Sequence, residues 1–135
     1  MTLIPTDLVP SYWPSIKPFV EKILEGDTRN SLDWYLDRLC EGRMQIWAAV
    51  QDAIVAVMIT EIHTHDNKKV CHLLACVGEQ MNDWIGAIEQ VENWARSVGC
   101  QEIEPIARKG WERALRPYGY KLTHVVLCKD LGDGR

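Results

Sequence analysis

The stretch Val91–Glu104, VENWARSVGCQEIE, changes its hydrophobic period in the middle. Up to Val98 it continues a pattern in which Trp84, Ile88, Val91, Ala95 and Val98 fall at three-and-four spacing, the single apolar stripe of an amphipathic helix. That spacing predicts a helix over Met81–Val98, with Asn82 or Asp83 as cap and Gly99 as its stop. Past Gly99 the period shortens, and Gln101–Ala107, QEIEPIA, reads as a strand.

Working back from this helix, three apolar runs rich in β-branched residues precede it: Gln45–Val50, Ala53–Ile62 and Val70–Val77. The breaks between them, Gln51-Asp52 and His65–Lys69, are short and polar, which predicts an antiparallel meander. Two helices lie further upstream. Ser11–Glu25 carries Trp13, Ile16, Val20 and Ile23 on one face, and Asn30–Glu41 carries Leu32, Tyr35, Leu36 and Leu39. Proline belongs in the first turn of a helix. Either Ser15 caps the first helix with Pro18 in its opening turn, or a separate turn at Ser11–Pro14 leads in. Asn30 and Asp33 have the spacing of a capping box, with Gly42 as the residue after the second helix. Downstream, Gly110–Arg116 is a short helix stopped by Pro117 and Gly119, and Tyr120–Lys129, YKLTHVVLCK, reads as a final strand. The expected order is ααβββαβαβ in one α/β domain over 1–135, with residues 1–10 a lead-in and 132–135 a polar tail. The sheet is expected to be mixed, mostly antiparallel and flanked by helices.

Composition excludes several functions. Fifteen basic against nineteen acidic side chains leave a net charge of −4, which argues against nucleic-acid binding through a broad basic face. No apolar run approaches the roughly 18 residues of a membrane helix. The opening MTLIPTDLVPSYW has no basic region followed by an apolar core, so no signal peptide is expected. Five cysteines, Cys40, Cys71, Cys76, Cys100 and Cys128, sit singly in apolar surroundings without a CxxC pair, the pattern of reduced thiols. These features predict a cytoplasmic location.

The element order and two local stretches resemble the GNAT (GCN5-related N-acetyltransferase) family. VENWARSVGCQEIE is similar to the family's central helix and following strand, where a Val-Glu-x-x-Ala-Arg-x-x-Gly pattern is usual. Gly110–Leu131, GWERALRPYGYKLTHVVLCKDL, is similar to its C-terminal helix, Gly-aromatic turn and closing strand. Gly110-Trp111 together with Trp94-Ala95-Arg96 also resembles small bacteriophage-encoded GNAT-like proteins, some of them virion components.

The resemblance implies acetyl-CoA held where two parallel strands splay apart, its pyrophosphate on a glycine-rich loop at the start of the central helix. The matching segment is Val77-Gly78-Glu79-Gln80-Met81-Asn82-Asp83-Trp84, which makes Val77, Gly78 and Gln80 the candidate cofactor contacts. The segment has one glycine and is short, and its Glu79 and Asp83 repel an anion at a helix N-terminus. Many family members place a proton-donating tyrosine four residues before the Gly-aromatic turn. Leu115 stands there, and Tyr118 is the substitute on offer. A general base for an amine acceptor would be Glu61 or His72. His63 is expected across from His72 with His65 nearby, but hairpin ends carry polar residues anyway, and no metal is expected.

Two functions follow. The first is a non-catalytic structural or protein-binding component, phage-encoded and virion-associated, needing no cofactor and making contacts or self-associating through Trp34 or Trp94. The alternative is an acyl-CoA-dependent N-acetyltransferase with a degenerate pyrophosphate loop, using acetyl-CoA. An enzyme should keep an open cleft between the strands Val70–Val77 and Gln101–Ala107.

Overall fold

Between residues 45 and 78 the β-branched runs form the centre of a five-stranded sheet. The computed structural model describes residues 1–79, 85–106 and 109–132. Strands β1 (Thr2–Leu3), β2 (Gln45–Val50), β3 (Ile54–Thr64), β4 (Lys69–Gly78) and β5 (Glu102–Pro105) stand in that spatial order. The pairs from β1 to β4 are antiparallel, and β4 pairs with β5 in parallel. Helices α1 (Val9–Gly26) and α2 (Leu32–Cys40) cover one face; α3 (Ile88–Ser97) and α4 (Lys109–Leu115) lie on the other.

Alternation along the strands divides the core. Ile46, Ala48, Val57 and Ile59 point to α1 and α2, where they meet Ile16, Val20, Tyr35 and Leu39. Their neighbours Trp47, Ala56 and Met58 point the other way, to Ile88, Val91 and Leu115. This is the period-two pattern of a sheet buried on both faces. The stripe foreseen for α3 is in place, with Ile88, Val91 and Ala95 all buried. The earlier part of the predicted helix, including Trp84, lies outside the described residues.

Helix α1 corrects the sequence expectation. Pro14 and Pro18 are inside it, beyond a third proline, Pro10, in its first turn. Because the three recur every fourth residue they lie on one face, and that face is exposed. Pro14 and Pro18 thus free the carbonyls of Pro10 and Pro14, on the same exposed line and within reach of water. For α2 the cap is Ser31, whose Oγ accepts from Trp34 N–H at 3.2 Å. Asn30 instead bonds Asp27, through its backbone N–H at 3.2 Å and its side-chain amide at 3.0 Å.

The two ends of the chain also differ from expectation. The lead-in contains β1 and the start of α1, giving the order βααβββαβα among the described residues. The closing strand expected at Tyr120–Lys129 is absent: residues 120–132 carry no helix or strand. A strand requires a neighbour to complete its hydrogen bonds, and no described segment pairs with this one as a strand. The short helix is as expected, ending in a single 3-10 turn, Arg116–Tyr118, with Gly119 at φ 91°.

Candidate active site

Strands β4 and β5 form a fork. Their parallel register runs from Val70 opposite Glu102 to Leu73 opposite Pro105, and one further bond joins Ile106 N–H to Leu73 O at 2.9 Å. There β5 ends, while β4 continues to Gly78. At the same level the β3–β4 register slips: Ile59 faces Ala75 but Thr60 faces Leu73, which leaves Leu74 as an extra residue. Such a bulge bends its strand and sharpens the local twist. The bulge falls where β5 stops, and along Leu74–Gly78 the outer edge of β4 has no strand partner among the described residues.

A polar cluster occupies the vertex of this fork, on the α1/α2 face. His72 and Glu104 are register partners, with Nδ1 and Oε1 3.4 Å apart. Across β4 from them, Glu61 pairs in register with His72. One Glu61 oxygen accepts from Arg38 of α2 at 2.7 Å, and the other meets His63 Nε2 at 2.5 Å. The His63 and His72 rings are 4.2 Å apart between centroids, and His65 is 6.4 Å from each. The three imidazoles foreseen together do meet, but diagonally, since the partner of His63 in the ladder is Val70. Among the described residues no group of three or more His, Cys, Asp or Glu is arranged to hold a metal ion.

These neighbours separate the two base candidates. Burial raises the Glu61 carboxyl, but the hydrogen bonds from Arg38 and His63 outweigh it and hold the group below the usual value. Glu61 is thus a committed carboxylate. Burial, followed by the charge of His63, pushes His72 below the ordinary imidazole value of 6.5, against the pull of Glu104. His72 is therefore neutral at pH 7. Its Nε2 is buried without a hydrogen-bond partner, as is Nε of Arg38. A neutral imidazole whose Nδ1 faces a carboxylate and whose Nε2 carries an unused lone pair is equipped to take a proton.

Two open depressions adjoin the cluster at the β3–β4 hairpin end. One, of about 780 Å3, is lined by Asp66, Glu102 and Glu104 with Thr64, His65 and Lys68 among its walls. The other, of about 440 Å3, lies over Arg38, Arg43, Glu61 and His63.

The remaining candidates lie away from this cluster. From His72 to Gly78 is about 20 Å along the strand. Val77 pairs with Val57 and is half-buried. Gly78 is required by packing: a Cβ there would lie 2.3 Å from Ala56 Cβ and 2.6 Å from Val55 O. The next N–H, of Glu79, donates to Val55 O at 3.2 Å. Gln80 lies outside the described residues. Leu115 is buried in the core between sheet and α3. Tyr118, 38% exposed, brings its hydroxyl against Gly86 at the entry to α3, within 3.4 Å of where a Cβ would stand. The candidates thus form two groups, a base at the end of the β4–β5 ladder on the α1/α2 face and a phenol against the entry to α3. Arg38 and Glu104 were not singled out from sequence. For Glu104 the signal was present, because Glu102 and Glu104 flank Ile103 on one face of a strand expected inside the sheet.

Trp34 and Trp94 are both half-buried. Arg38 stacks over the Trp34 ring at 4.6 Å, and Trp94 meets Trp47 edge to face at 5.4 Å. No described helix is long and apolar enough to cross a membrane.

The sequence matches no protein-family model and no curated protein. Solved structures do resemble it. A predicted acetyltransferase from Clostridium acetobutylicum, solved with acetyl-CoA, is 17% identical with a TM-score of 0.66, covering 96% of this chain and 94% of that one. The aminoglycoside N-acetyltransferase AAC(6′)-Iy, solved with CoA, is 13% identical with a TM-score of 0.68, covering 90% and 93%. A probable acetyltransferase superposes over 100% and 99% at 10% identity and a TM-score of 0.69. The chain has the fold of these acetyltransferases, the GNAT fold.

Proposed function

We propose that this chain is an acyl-CoA-dependent N-acyltransferase that modifies a cationic amine. The observation carrying this reading is the His72–Glu104 pair at the vertex of an open β4/β5 fork. The unpaired edge of β4 beyond Leu73 and the buried, unpartnered Nε2 of His72 suit a ligand in the fork. Acetyl-CoA would supply an acyl group on a thiolate that leaves readily. The chain's own part is to prepare the amine. Asp66 and Glu104 attract the ammonium, Glu102 being already paired with Lys68 at 3.1 Å, and Nε2 of His72 takes its proton while Glu104 holds Nδ1–H. Glu104 beside the ring, with a smaller contribution from Glu61, favours the positive charge that His72 acquires, against the opposing charge of His63. Tyr118, at the entry to α3, is the candidate proton donor. The likeness to structures solved with CoA and acetyl-CoA supports the choice of acyl donor.

The test is calorimetric titration with acetyl-CoA, followed by thiol release in the presence of a polyamine. Acetyl-CoA is expected to bind. His72→Gln should lower kcat by about 10²–10⁴-fold while leaving acetyl-CoA affinity within about twofold. For the native enzyme, kcat/KM should fall on the acid side with a midpoint below 6.5, because His72 must be neutral to act. No heat and no thermal shift with acetyl-CoA would refute the proposal.

A second reading, a non-catalytic protein-binding component, virion-associated or otherwise, is favoured by Leu115 in the tyrosine position and by the Glu79 N–H being spent on Val55. Contact through Trp34 or Trp94 belongs to that reading. The same titration separates the two.

A further inference from the structure

The two depressions at the β3–β4 hairpin end share Thr64 and His65 in their walls, so they join into one trough over that end of the sheet. Their charges differ. The first holds Asp66, Glu102 and Glu104 against a single cation, Lys68. Lys68 is paired with Glu102 at 3.1 Å, which leaves Asp66 and Glu104, the latter facing the ring of His72. The second holds Arg38, Arg43 and Glu61. Glu61 is engaged by Arg38 at 2.7 Å and by His63 at 2.5 Å. Arg43 meets Glu41 through Nε at 2.8 Å, with 61% of its side chain exposed, and its two Nη nitrogens take no part in that pair. An exposed pair of this kind adds little and yields to a better partner.

One end of the trough is therefore anionic and the other cationic. The base lies between them, since Glu61, His72 and Glu104 follow one another in register across β3, β4 and β5. A guanidinium with free Nη groups matches a carboxylate in geometry as well as charge. Spacing sets the length of the guest. Arg43 leads into β2, two residues before Gln45, and Glu104 is in β5. Three strand spacings separate β2 from β5, about 14 Å. A hydrogen bond of about 3 Å at each end leaves about 8 Å, the extended span of about five methylenes between an amine nitrogen and a carboxylate.

We propose that the trough takes an aminocarboxylate as acceptor, its ammonium at Asp66 and Glu104 and its carboxylate on the Nη nitrogens of Arg43. This names the substrate class of the acyltransferase described above and rests on that reading for its chemistry, but not for binding.

The test is equilibrium dialysis of the full chain, with and without CoA, against 6-aminohexanoate and against pentylamine, the same chain lacking the carboxylate. The aminocarboxylate should bind at least about 10-fold more tightly, as expected for a hydrogen-bonded charge. Arg43→Gln should bring the two affinities within about twofold of each other, and Arg43→Lys should restore part of the preference. Asp66→Asn should weaken both ligands alike. Equal affinities for the two amines overturn the proposal, as does a preference that Arg43→Gln leaves intact, or binding of neither ligand at 50 mM. The two readings fail separately. An Arg43-dependent preference without acetyl-CoA binding refutes the acyltransferase and upholds the trough, whereas acetyl-CoA binding with no preference for the carboxylate does the reverse.

Discussion

Asp27, in the turn between α1 and α2, accepts from Tyr35 Oη at 2.6 Å, the Asn30 side chain at 3.0 Å and the backbone N–H of Arg29 at 2.9 Å. Burial raises its carboxyl, but these donors outweigh it and hold the group below 3.8. A carboxylate depressed in the folded state adds stability above its unfolded pKa and loses it as pH falls through the folded one. Asp27→Ala should therefore lower the urea midpoint at pH 7, and the gap to the native chain should close as pH drops below 3.8. Gly78→Ala is another single-residue test. Its Cβ meets Ala56 at 2.3 Å, so it should cost about 1–3 kcal/mol as an overpacking substitution, read by chemical denaturation. At this scale the site was half legible. Glu61 and His72 could be marked because each interrupts a strand pattern with an ionisable group. Which of them is free to act depends on Arg38, which is 23 positions from Glu61 and reaches it only through the packing of α2.

Helix α1 shows what elements can absorb. An interior proline costs about 3 kcal/mol relative to alanine, yet Pro14 and Pro18 both lie within the helix. The cost is reduced because their freed carbonyls face water. Replacing Pro18 by Ala should restore one i→i−4 bond. Allowing about 1 kcal/mol for the greater freedom of the unfolded chain, the variant should be more stable by about 2 kcal/mol, measured by urea denaturation. The rule that confines proline to a first turn misplaced the start of this helix, because the rule treats each proline alone, whereas four-residue spacing aligns them. Strand boundaries were read more closely. Periodicity and polar breaks located β2, β3 and β4 within two residues at each end, since those strands owe their position to burial on both faces. The bulge at Leu74 was not legible, because it arises from the relation of two strands and leaves no mark in either.

Across the whole molecule the five thiols are free, two exposed and the others buried or half-buried. Burial pushes Cys71 up to about 12 and raises Cys76 and Cys100 as well. In the folded protein a thiol reagent near pH 8 should modify Cys40 and Cys128 quickly, and the other three only on unfolding. The closing strand was legible as a strand but not as an unpaired one, because a sequence records what a segment needs and not whether its own chain supplies it. The fork, finally, is mechanically lopsided. Its β4 limb is zipped to β3 out to Gly78 opposite Ala56, and the glycine lets the two backbones close together at the tip. Its β5 limb is stitched to the sheet over only 4 residues. One limb is an anvil and the other a hinge arm. Any widening that admits a bulky guest must be borne by β5 and by whatever leans on it, while the β4 limb stays where β3 holds it.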